Sequence, residues 1–155
     1  MKYIKLIPIF LLILLLNSCG YKKLNSENYN NFKINTLKIN GENKLSSKIK
    51  NNIEIYSYRE SKITYDIKIN LTSTKETKIK NTAGKTIRYS TGLQADTLIT
   101  NIETKIDYKK TISSINDYDV GLTHSDTLNN EKNAVENNIN YIINEIIKYL
   151  KLLSV

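Results

Sequence analysis

The sequence lacks most of the residue types on which disulfide frameworks, metal sites and hydrolytic active sites depend. Its 155 residues include one cysteine and one histidine. A lone thiol forms no internal disulfide, and one histidine with scattered carboxylates does not make up a set of metal ligands. Ser125 and Asp126 follow His124 directly, but a catalytic triad is assembled in space rather than by adjacency. We therefore expect no enzymatic activity, no metal and no bound cofactor.

Arginine is also scarce, although the chain is basic. The net charge of +8 comes from 23 lysine and arginine residues against 15 acidic ones, and only Arg59 and Arg88 are arginine. Nucleic-acid surfaces more typically combine arginine forks with clustered aromatic residues. The joint abundance of lysine, asparagine, isoleucine and tyrosine is typical of an AT-rich coding sequence. We therefore expect no nucleic-acid partner, whereas an acidic partner such as lipid phosphate is compatible with the charge.

A phosphate-binding loop for nucleotides is excluded as well. Residues 81–86, NTAGKT, contain Gly-Lys-Thr, but Ile79 stands five residues before Gly84, where the motif requires glycine. The motif also requires a helix directly after the loop, whereas a strand pattern follows here. We interpret residues 81–85 as the turn of a hairpin.

The chain has only one long hydrophobic run, and it lies at the start. Residues 6–16, eleven in number, read LIPIFLLILLL and follow Lys2 and Lys5. The run is too short for a membrane-spanning helix, which needs about 20 residues. A basic start, a short apolar segment and small residues after it are typical of a signal peptide, which we place at residues 1–18.

The single cysteine lies directly after this run. Leu16, Asn17, Ser18 and Cys19 resemble the bacterial lipobox. The resemblance implies cleavage before Cys19, lipid on its sulfur and acylation of the new amino group. Several acyl chains anchor a protein firmly, because each buried CH₂ contributes about 0.8 kcal/mol. Gly20 stands where aspartate commonly retains lipoproteins in the inner membrane, so we expect an anchor in the outer membrane, on its periplasmic side.

The rest of the chain divides into a tether and one domain. Residues 19–31 are polar and rich in asparagine, which is typical of a flexible tether, and residues 32–155 are predicted to form the domain. Two-residue alternation predicts strands at 32–40, where a change of phase indicates a bulge, at 62–80 and at 86–93. Helical spacing predicts a helix within 41–57 and a longer one at the end of the chain.

The region between the second strand and the last helix has a less regular pattern. We interpret 98–112 as one run, with these residues on one side: Leu98, Ile102, Ile106, Tyr108 and Ile112. Gly92 is predicted to mark a bulge or bend before it, and a short edge strand is expected near 117–122. We expect Asp126 or Asn130 to cap the last helix and His124 to lie in a loop.

These elements predict an α+β fold. The clearest strand has an apolar face of Ile63, Tyr65, Ile67, Ile69 and Leu71, and a polar face of Thr64, Asp66, Lys68, Asn70 and Thr72. Each helix has one apolar stripe, and a helix must bury such a stripe against another element. We therefore predict a two-layer sandwich in the order β-α-β-β-β-α, with two helices packed on one face of a mostly antiparallel four-stranded sheet.

Basic residues crowd the predicted hairpin between the second and third strands. They are Lys75, Lys78, Lys80, Lys85 and Arg88. One interpretation is a solvated lysine-rich edge that discourages sheet aggregation. The other is a cluster that binds the phosphates of a lipid.

Three segments resemble the lipopolysaccharide-assembly lipoprotein LptE family: CGYKKL at 19–24, NTAGKTIRYSTGL at 81–93 and EKNAVENNINYIINEIIKYL at 131–150. The resemblance implies a four-stranded sheet with two helices that sits as a plug in the outer-membrane barrel LptD. It also implies lipopolysaccharide binding, with Lys80 at the position of the family's basic residue before the turn and Lys85 and Arg88 as weaker candidates. For a second basic residue before the last helix, the sequence offers only His124.

The expected function is therefore that of an outer-membrane lipoprotein. It would plug and help assemble the LptD translocon and help to deliver lipopolysaccharide to the outer leaflet. Its expected partners are LptD, lipopolysaccharide and the membrane lipid around the anchor on Cys19. The alternative is a small lipoprotein, facing the periplasm, that scaffolds another outer-membrane complex.

Overall fold

Alternating apolar residues build four strands that pair in chain order in one sheet. The structure is a computed structural model that describes residues 32–154, so the predicted signal peptide, Cys19 and the tether lie outside the described residues. The strands are β1 (Phe32–Asn40), β2 (Ile63–Lys80), β3 (Thr86–Asn101) and β4 (Asp107–Asp119). β1 and β2 are parallel and the other pairs are antiparallel. This confirms the predicted order and the mostly antiparallel sheet.

Helix α1 (Asn43–Glu54) makes the crossover that parallel strands require. Its buried residues are Leu45, Ile49 and Ile53, which are the stripe predicted from the spacing. The pairing of β1 with β2 shifts between Ile34 and Thr36, so the predicted bulge is confirmed. The extra residue explains why the apolar residues of β1 change phase along the strand.

Helix α2 (His124–Leu153) covers β3 and β4 and closes the core. It begins earlier than its apolar stripe, and its N-cap is neither Asp126 nor Asn130 but Thr123. The Thr123 hydroxyl accepts a hydrogen bond from the Asp126 amide (3.1 Å), and the Asp126 carboxylate accepts one from the Thr123 amide (3.0 Å). The cap prediction was wrong because the first turns of α2 are mostly exposed and carry no apolar period. His124 is consequently the first residue of a helix rather than part of a loop.

The predicted run over 98–112 is divided by a turn. β3 ends at Asn101 and β4 begins at Asp107, and the Asn101 side-chain oxygen accepts hydrogen bonds from the amides of Glu103 and Thr104. Ile102 and Ile106 lie at the two ends of this turn. Their spacing continues the two-residue alternation of the strands on either side, so the sequence pattern did not reveal the turn. The fourth strand is therefore Asp107–Asp119, much longer than the short edge strand expected near 117–122.

β3 is continuous and regularly paired through Gly92, where a bulge or bend was expected. The glycine instead lies at a close approach of the two strands, because a Cβ atom there would lie 2.6 Å from the Thr74 hydroxyl on β2 and would force that side chain to move. The predicted strand at 86–93 and the start of the predicted run at 98–112 therefore belong to one strand, β3.

The core lies between the helices and one face of the sheet. Its largest fully buried side chains include Phe32 and Tyr65, whose rings are 6.3 Å apart. The Tyr65 hydroxyl donates a hydrogen bond to the Leu153 carbonyl (2.8 Å) at the end of α2. The predicted two-layer sandwich is confirmed. Neither helix in the described part of the chain combines the length and apolar character needed to cross a bilayer.

Candidate functional site

The hairpin of β2 and β3 extends beyond the core and carries the predicted basic residues. From Thr72 to Lys80 every residue of β2 is exposed, as expected from the loss of its apolar face. The turn is closed by hydrogen bonds from the Asn81 amide to the Lys85 carbonyl and from the Gly84 amide to the Asn81 carbonyl, both 2.9 Å. Gly84 has a φ of 79°, a conformation that glycine adopts without strain.

Lys80 and Lys85 lie at this tip. Lys80 ends β2 opposite Thr86, and Lys85 lies in the turn. Within residues 32–154, neither ammonium group forms an ion pair. Both lysines are therefore placed where an anionic group from solvent or a membrane surface can reach them.

Arg88, the third predicted site residue, is held by an acidic partner. Its Nε and Nη2 donate to the two carboxylate oxygens of Asp119, at 2.6 and 3.1 Å. The pairing raises the pKa of the Arg88 guanidinium and lowers the pKa of the Asp119 carboxyl. A lipid phosphate would have to displace Asp119 before it could bind Arg88 in the same two-pronged manner.

Lys75 and Lys78 also face carboxylates. The Lys75 ammonium lies 2.7 Å from both carboxylate oxygens of Glu131 and 5.2 Å from the centre of the Tyr89 ring. Hydrogen bonding to Glu131 raises the pKa of Lys75. Lys78 lies 4.0 Å from Asp117. Three of the five clustered bases are therefore paired with acids from β4 and α2.

The tip also has exposed apolar residues that the sequence analysis did not single out. Ile79 and Ile87 are 42 and 43% exposed, and Leu122 after β4 is fully exposed. Long basic side chains beside apolar ones are suited to a lipid–water boundary, because the charged end stays in water while the apolar part contacts lipid. The strand alternation of 86–93 was the available signal, because it places Ile87 on the apolar face of the strand at the end next to the turn.

His124 lies close to this tip although it is distant from Lys85 in the sequence. The two residues line one shallow depression of about 370 Å³, together with residues of the β4–α2 connection such as Gly121 and Leu122. The structure therefore brings together two of the residues that the family resemblance singled out. Lys80 and Arg88 are not among the residues that line this depression.

The sheet face that points away from the helices is polar and internally hydrogen-bonded. Asp66 accepts from the side chains of Asn35 (2.9 Å) and Thr36 (2.5 Å) on β1, and these bonds lower its pKa. Asn40 donates to Asn70 in the same way (2.9 Å). The predicted polar face of β2 is confirmed: Lys68, Asn70 and Thr72 are exposed, and Thr64 and Asp66 are half-buried.

A groove of about 470 Å³ lies on the opposite side of the sheet, between the two helices and the exposed part of β2. Its floor includes Leu45, Leu93 and Ile139, and its rim carries lysines and glutamates. Two ion pairs cross this rim: Lys48–Glu136 (2.9 Å) and Lys75–Glu131 (2.7 Å). Within residues 32–154, no group of three or more histidine, cysteine, aspartate or glutamate residues could hold a metal ion.

Comparisons with known proteins support the fold but not a family. No family model matches the sequence, and no curated protein matches it. A candidate lipoprotein of Caulobacter crescentus CB15 has a similar structure, with a TM-score of 0.55 and 8% identity over 81% of this chain and 91% of the other. The rare lipoprotein B of Shewanella oneidensis gives 0.57 and 9% over 77% and 92%. At these identities the similarity shows a shared fold alone.

Proposed function

We propose that this chain is a lipoprotein, anchored through Cys19 on the periplasmic side of the outer membrane, that plugs and helps assemble a barrel of LptD type. The observation that carries the proposal is the fold shared with two proteins described as lipoproteins, over more than nine-tenths of each. A lipobox-like LNSC at residues 16–19 supports the lipoprotein part of this proposal from an independent part of the chain.

The polar sheet face supports contact with a barrel interior. The interiors of large outer-membrane barrels are polar. Side chains of this face such as Asp66, Asn70 and Thr72 supply hydrogen-bond donors and acceptors that suit such an interior. Because several of these groups already bond to one another, they are ordered before binding. An interface of this kind is expected to be rich in hydrogen bonds and bridging water.

The basic tip supports the second half of the proposal, which is lipopolysaccharide binding. Lys80 and Lys85 would contact lipid phosphates while Ile79 and Ile87 contact acyl chains, and Arg88 would contribute only after releasing Asp119. Each exposed ion pair is worth about 1 kcal/mol or less, so several contacts must act together. The neighbouring His124 is a further candidate for this contact.

The test is to solubilise membranes mildly and to purify the protein through a tag placed after Val155. We expect an LptD-type barrel at near-equal stoichiometry. Replacing Asn70 and Thr72 with tryptophan should reduce barrel recovery, because two large side chains then project from the polar face. Tyr141→Trp on the outer side of α2, where Tyr141 is 49% exposed, is the matched control. Recovery of the lipoprotein alone, with barrel assembly unchanged after its depletion, would contradict the proposal and favour the scaffold alternative.

A further inference from the structure

The two edges of the sheet are protected to very different degrees. On β1, the Ile34 amide donates to the Ser57 hydroxyl (2.9 Å), and the Phe32 carbonyl accepts from the Tyr58 amide (3.0 Å). A bulge interrupts the same strand, and both devices discourage pairing with another chain. β4 is a strand of 13 residues at the other edge, and among the strands of residues 32–154 it pairs only with β3.

The hydrogen bonds to β3 determine which groups of β4 remain available. The Val120 amide donates to Ile87 (3.0 Å), and Ile106 accepts from Asn101 (2.9 Å) at the other end of the ladder. Since the register between these points is regular and successive residues alternate in direction, even-numbered residues of β4 bond to β3. The odd-numbered residues Lys109, Thr111, Ser113, Ile115 and Asp117 direct their amides and carbonyls to the free edge. Within residues 32–154, no other backbone group bonds to them.

The free edge has a defined end. The carbonyl of Asp119, the next odd-numbered residue, accepts a hydrogen bond from the Asn130 side chain on α2 (3.0 Å). This bond agrees with the alternation, because it reaches Asp119 from outside the sheet. It also removes Asp119 from the set of groups available for pairing. A register centred on Ser113 pairs residues 109–117 with one another and places Asp107, the first residue of β4, opposite Asp119.

We propose that β4 pairs with β4 of a second copy of this chain, antiparallel, about a two-fold axis at Ser113. In this register the edge-facing residues from Lys109 to Asp117 meet one another: Lys109 meets Asp117 of the second copy, Thr111 meets Ile115, and Ser113 meets Ser113. Ile115, which is 70% exposed, gains a neighbour on the polar face of the sheet. The result is a continuous sheet across the two copies.

Charge along the strand favours this register. β4 is basic near its start, at Lys109 and Lys110, and acidic near its end, at Asp117 and Asp119. Antiparallel pairing therefore places the lysine of each copy opposite the aspartate of the other, and opposite charges across a strand pair are stabilising. The proposed register also places Asp107 opposite Asp119, whose carboxylate is already held by Arg88. A shift of one bonded pair in one direction instead places Asp107 opposite Asp117 and removes the contact between Lys109 and Asp117. The same shift in the other direction uses Asp119, whose carbonyl is occupied by Asn130 and whose carboxylate holds Arg88.

The first experiment is disulfide trapping in the full mature chain, purified in detergent. In a hydrogen-bonded antiparallel pair, facing Cα atoms are about 5.5 Å apart, which a disulfide can bridge. We therefore expect Ser113→Cys to give a cross-linked dimer on mild oxidation. Gln94→Cys is the matched control, since Gln94 is the β3 partner of Ser113 and is exposed on the same face. It and the wild-type protein should remain uncross-linked.

The second experiment tests the register by reversing charges in the Ser113→Cys protein. Lys109→Asp alone and Asp117→Lys alone each place like charges opposite one another, so we expect cross-linking to fall about tenfold in each. The double variant restores opposite charges and should restore cross-linking, as should a mixture of the two single variants. Circular dichroism of each variant confirms that it is folded.

Four outcomes would overturn the proposal, and the first three concern the purified chain. They are no cross-linking at Ser113, equal cross-linking at Gln94, and indifference to the charge reversals. A disulfide formed mainly between Ser113→Cys and a different polypeptide in membranes would also overturn it, because the edge would then belong to another partner. The proposal concerns the chain alone, so failure of the barrel experiment leaves it unaffected.

Discussion

At the scale of single residues, Asn138 is the most constrained polar side chain of the core. It is 1% exposed on α2, its oxygen accepts from the Asn116 side chain (2.8 Å), and its amide donates to the Thr91 carbonyl (3.0 Å). Both bonds reach across to the sheet, to β4 and β3. Because a buried polar group costs free energy unless it is bonded, only one position of α2 along the sheet satisfies all three groups.

We predict that Asn138→Ala lowers the free energy of unfolding by about 2 kcal/mol, because it leaves the buried Thr91 carbonyl and the half-buried Asn116 side chain without their partner. Denaturant titration measures the change. Asn137→Ala is the matched control, since Asn137 is the exposed neighbour on the same helix, and it should change stability by a few tenths of a kcal/mol at most. Equal effects of the two substitutions would show that the network does not hold α2 in place.

Tyr65 gives a prediction at high pH. Burial, and to a lesser extent the nearby Tyr108 and Glu103, raise its pKa from 10.0 to about 12. A group with a raised pKa in the folded state contributes stability below its unfolded pKa and loses that contribution as pH rises through the folded pKa. The wild-type protein should therefore lose stability between about pH 10 and 12.

The comparison is with Tyr65→Phe, which cannot ionise. At neutral pH this variant should be about 1 kcal/mol less stable than the wild type, since it lacks the hydrogen bond to the Leu153 carbonyl. Above pH 10 the difference should shrink. Tyr141→Phe, at an exposed position on α2, controls for general effects of removing a phenol. A constant difference between the wild type and Tyr65→Phe across this range would contradict the raised pKa.

At the scale of secondary structure, α2 depends on a cap that lies well before its apolar stripe. Thr123 and Asp126 satisfy each other's amides at its first turn, while the buried residues of the helix begin only at Ala134. We predict that Thr123→Ala lowers the free energy of unfolding by about 1 kcal/mol. Ser125→Ala in the same turn makes no capping bond and should be close to neutral. Thermal unfolding of both variants measures the difference, and equal melting temperatures would exclude a stabilising cap.

Strands and helices with one apolar face could be predicted from the sequence. Segments whose local pattern disagrees with their place in the fold could not. β2 was recognisable because five consecutive alternate residues are apolar, and α1 because its stripe repeats every four residues. The β3–β4 turn was missed because Ile102 and Ile106 continue an apparent alternation through it. β4 was shortened because its helix-facing side includes Lys110 and Asn116, whose partners Tyr149 and Asn138 lie on α2, far away in sequence.

The same limit applied to the candidate site. Lys80, Lys85 and Arg88 were correctly expected near one turn, since the hairpin is local. Their charge environment could not be predicted, because Asp117, Asp119 and Glu131 approach the hairpin from β4 and α2. Ion pairs between the hairpin and segments distant in sequence therefore determine which basic side chains remain available for an external anion.

At the scale of the whole molecule, the sheet separates two ends. β1 begins beside the first residue of β2, so the chain enters the domain at the end far from the basic tip. β2 is 18 residues long, which places the tip about 55 to 60 Å from that end at the usual rise along a strand. A domain anchored through residues before Phe32 can therefore present Lys80 and Lys85 either far from the anchor or, when it lies flat, against the same membrane.

This separation allows a charge-matched test of the lipopolysaccharide proposal. We predict that Lys80→Asp with Lys85→Asp weakens lipopolysaccharide binding at low salt. The control, Lys62→Asp with Lys105→Asp, makes the same change in net charge with two exposed lysines at the opposite end of the sheet.

Arg88→Gln should have a smaller effect than the tip variant, because Asp119 already occupies the guanidinium. Binding of the wild type should also weaken as salt rises, since exposed charges are screened beyond about 8 Å at physiological ionic strength. Equal losses for the tip and control pairs would mean that net charge, rather than the tip, attracts the lipid. If neither pair changes binding, the basic hairpin is a solvated edge, which was the other interpretation of its composition.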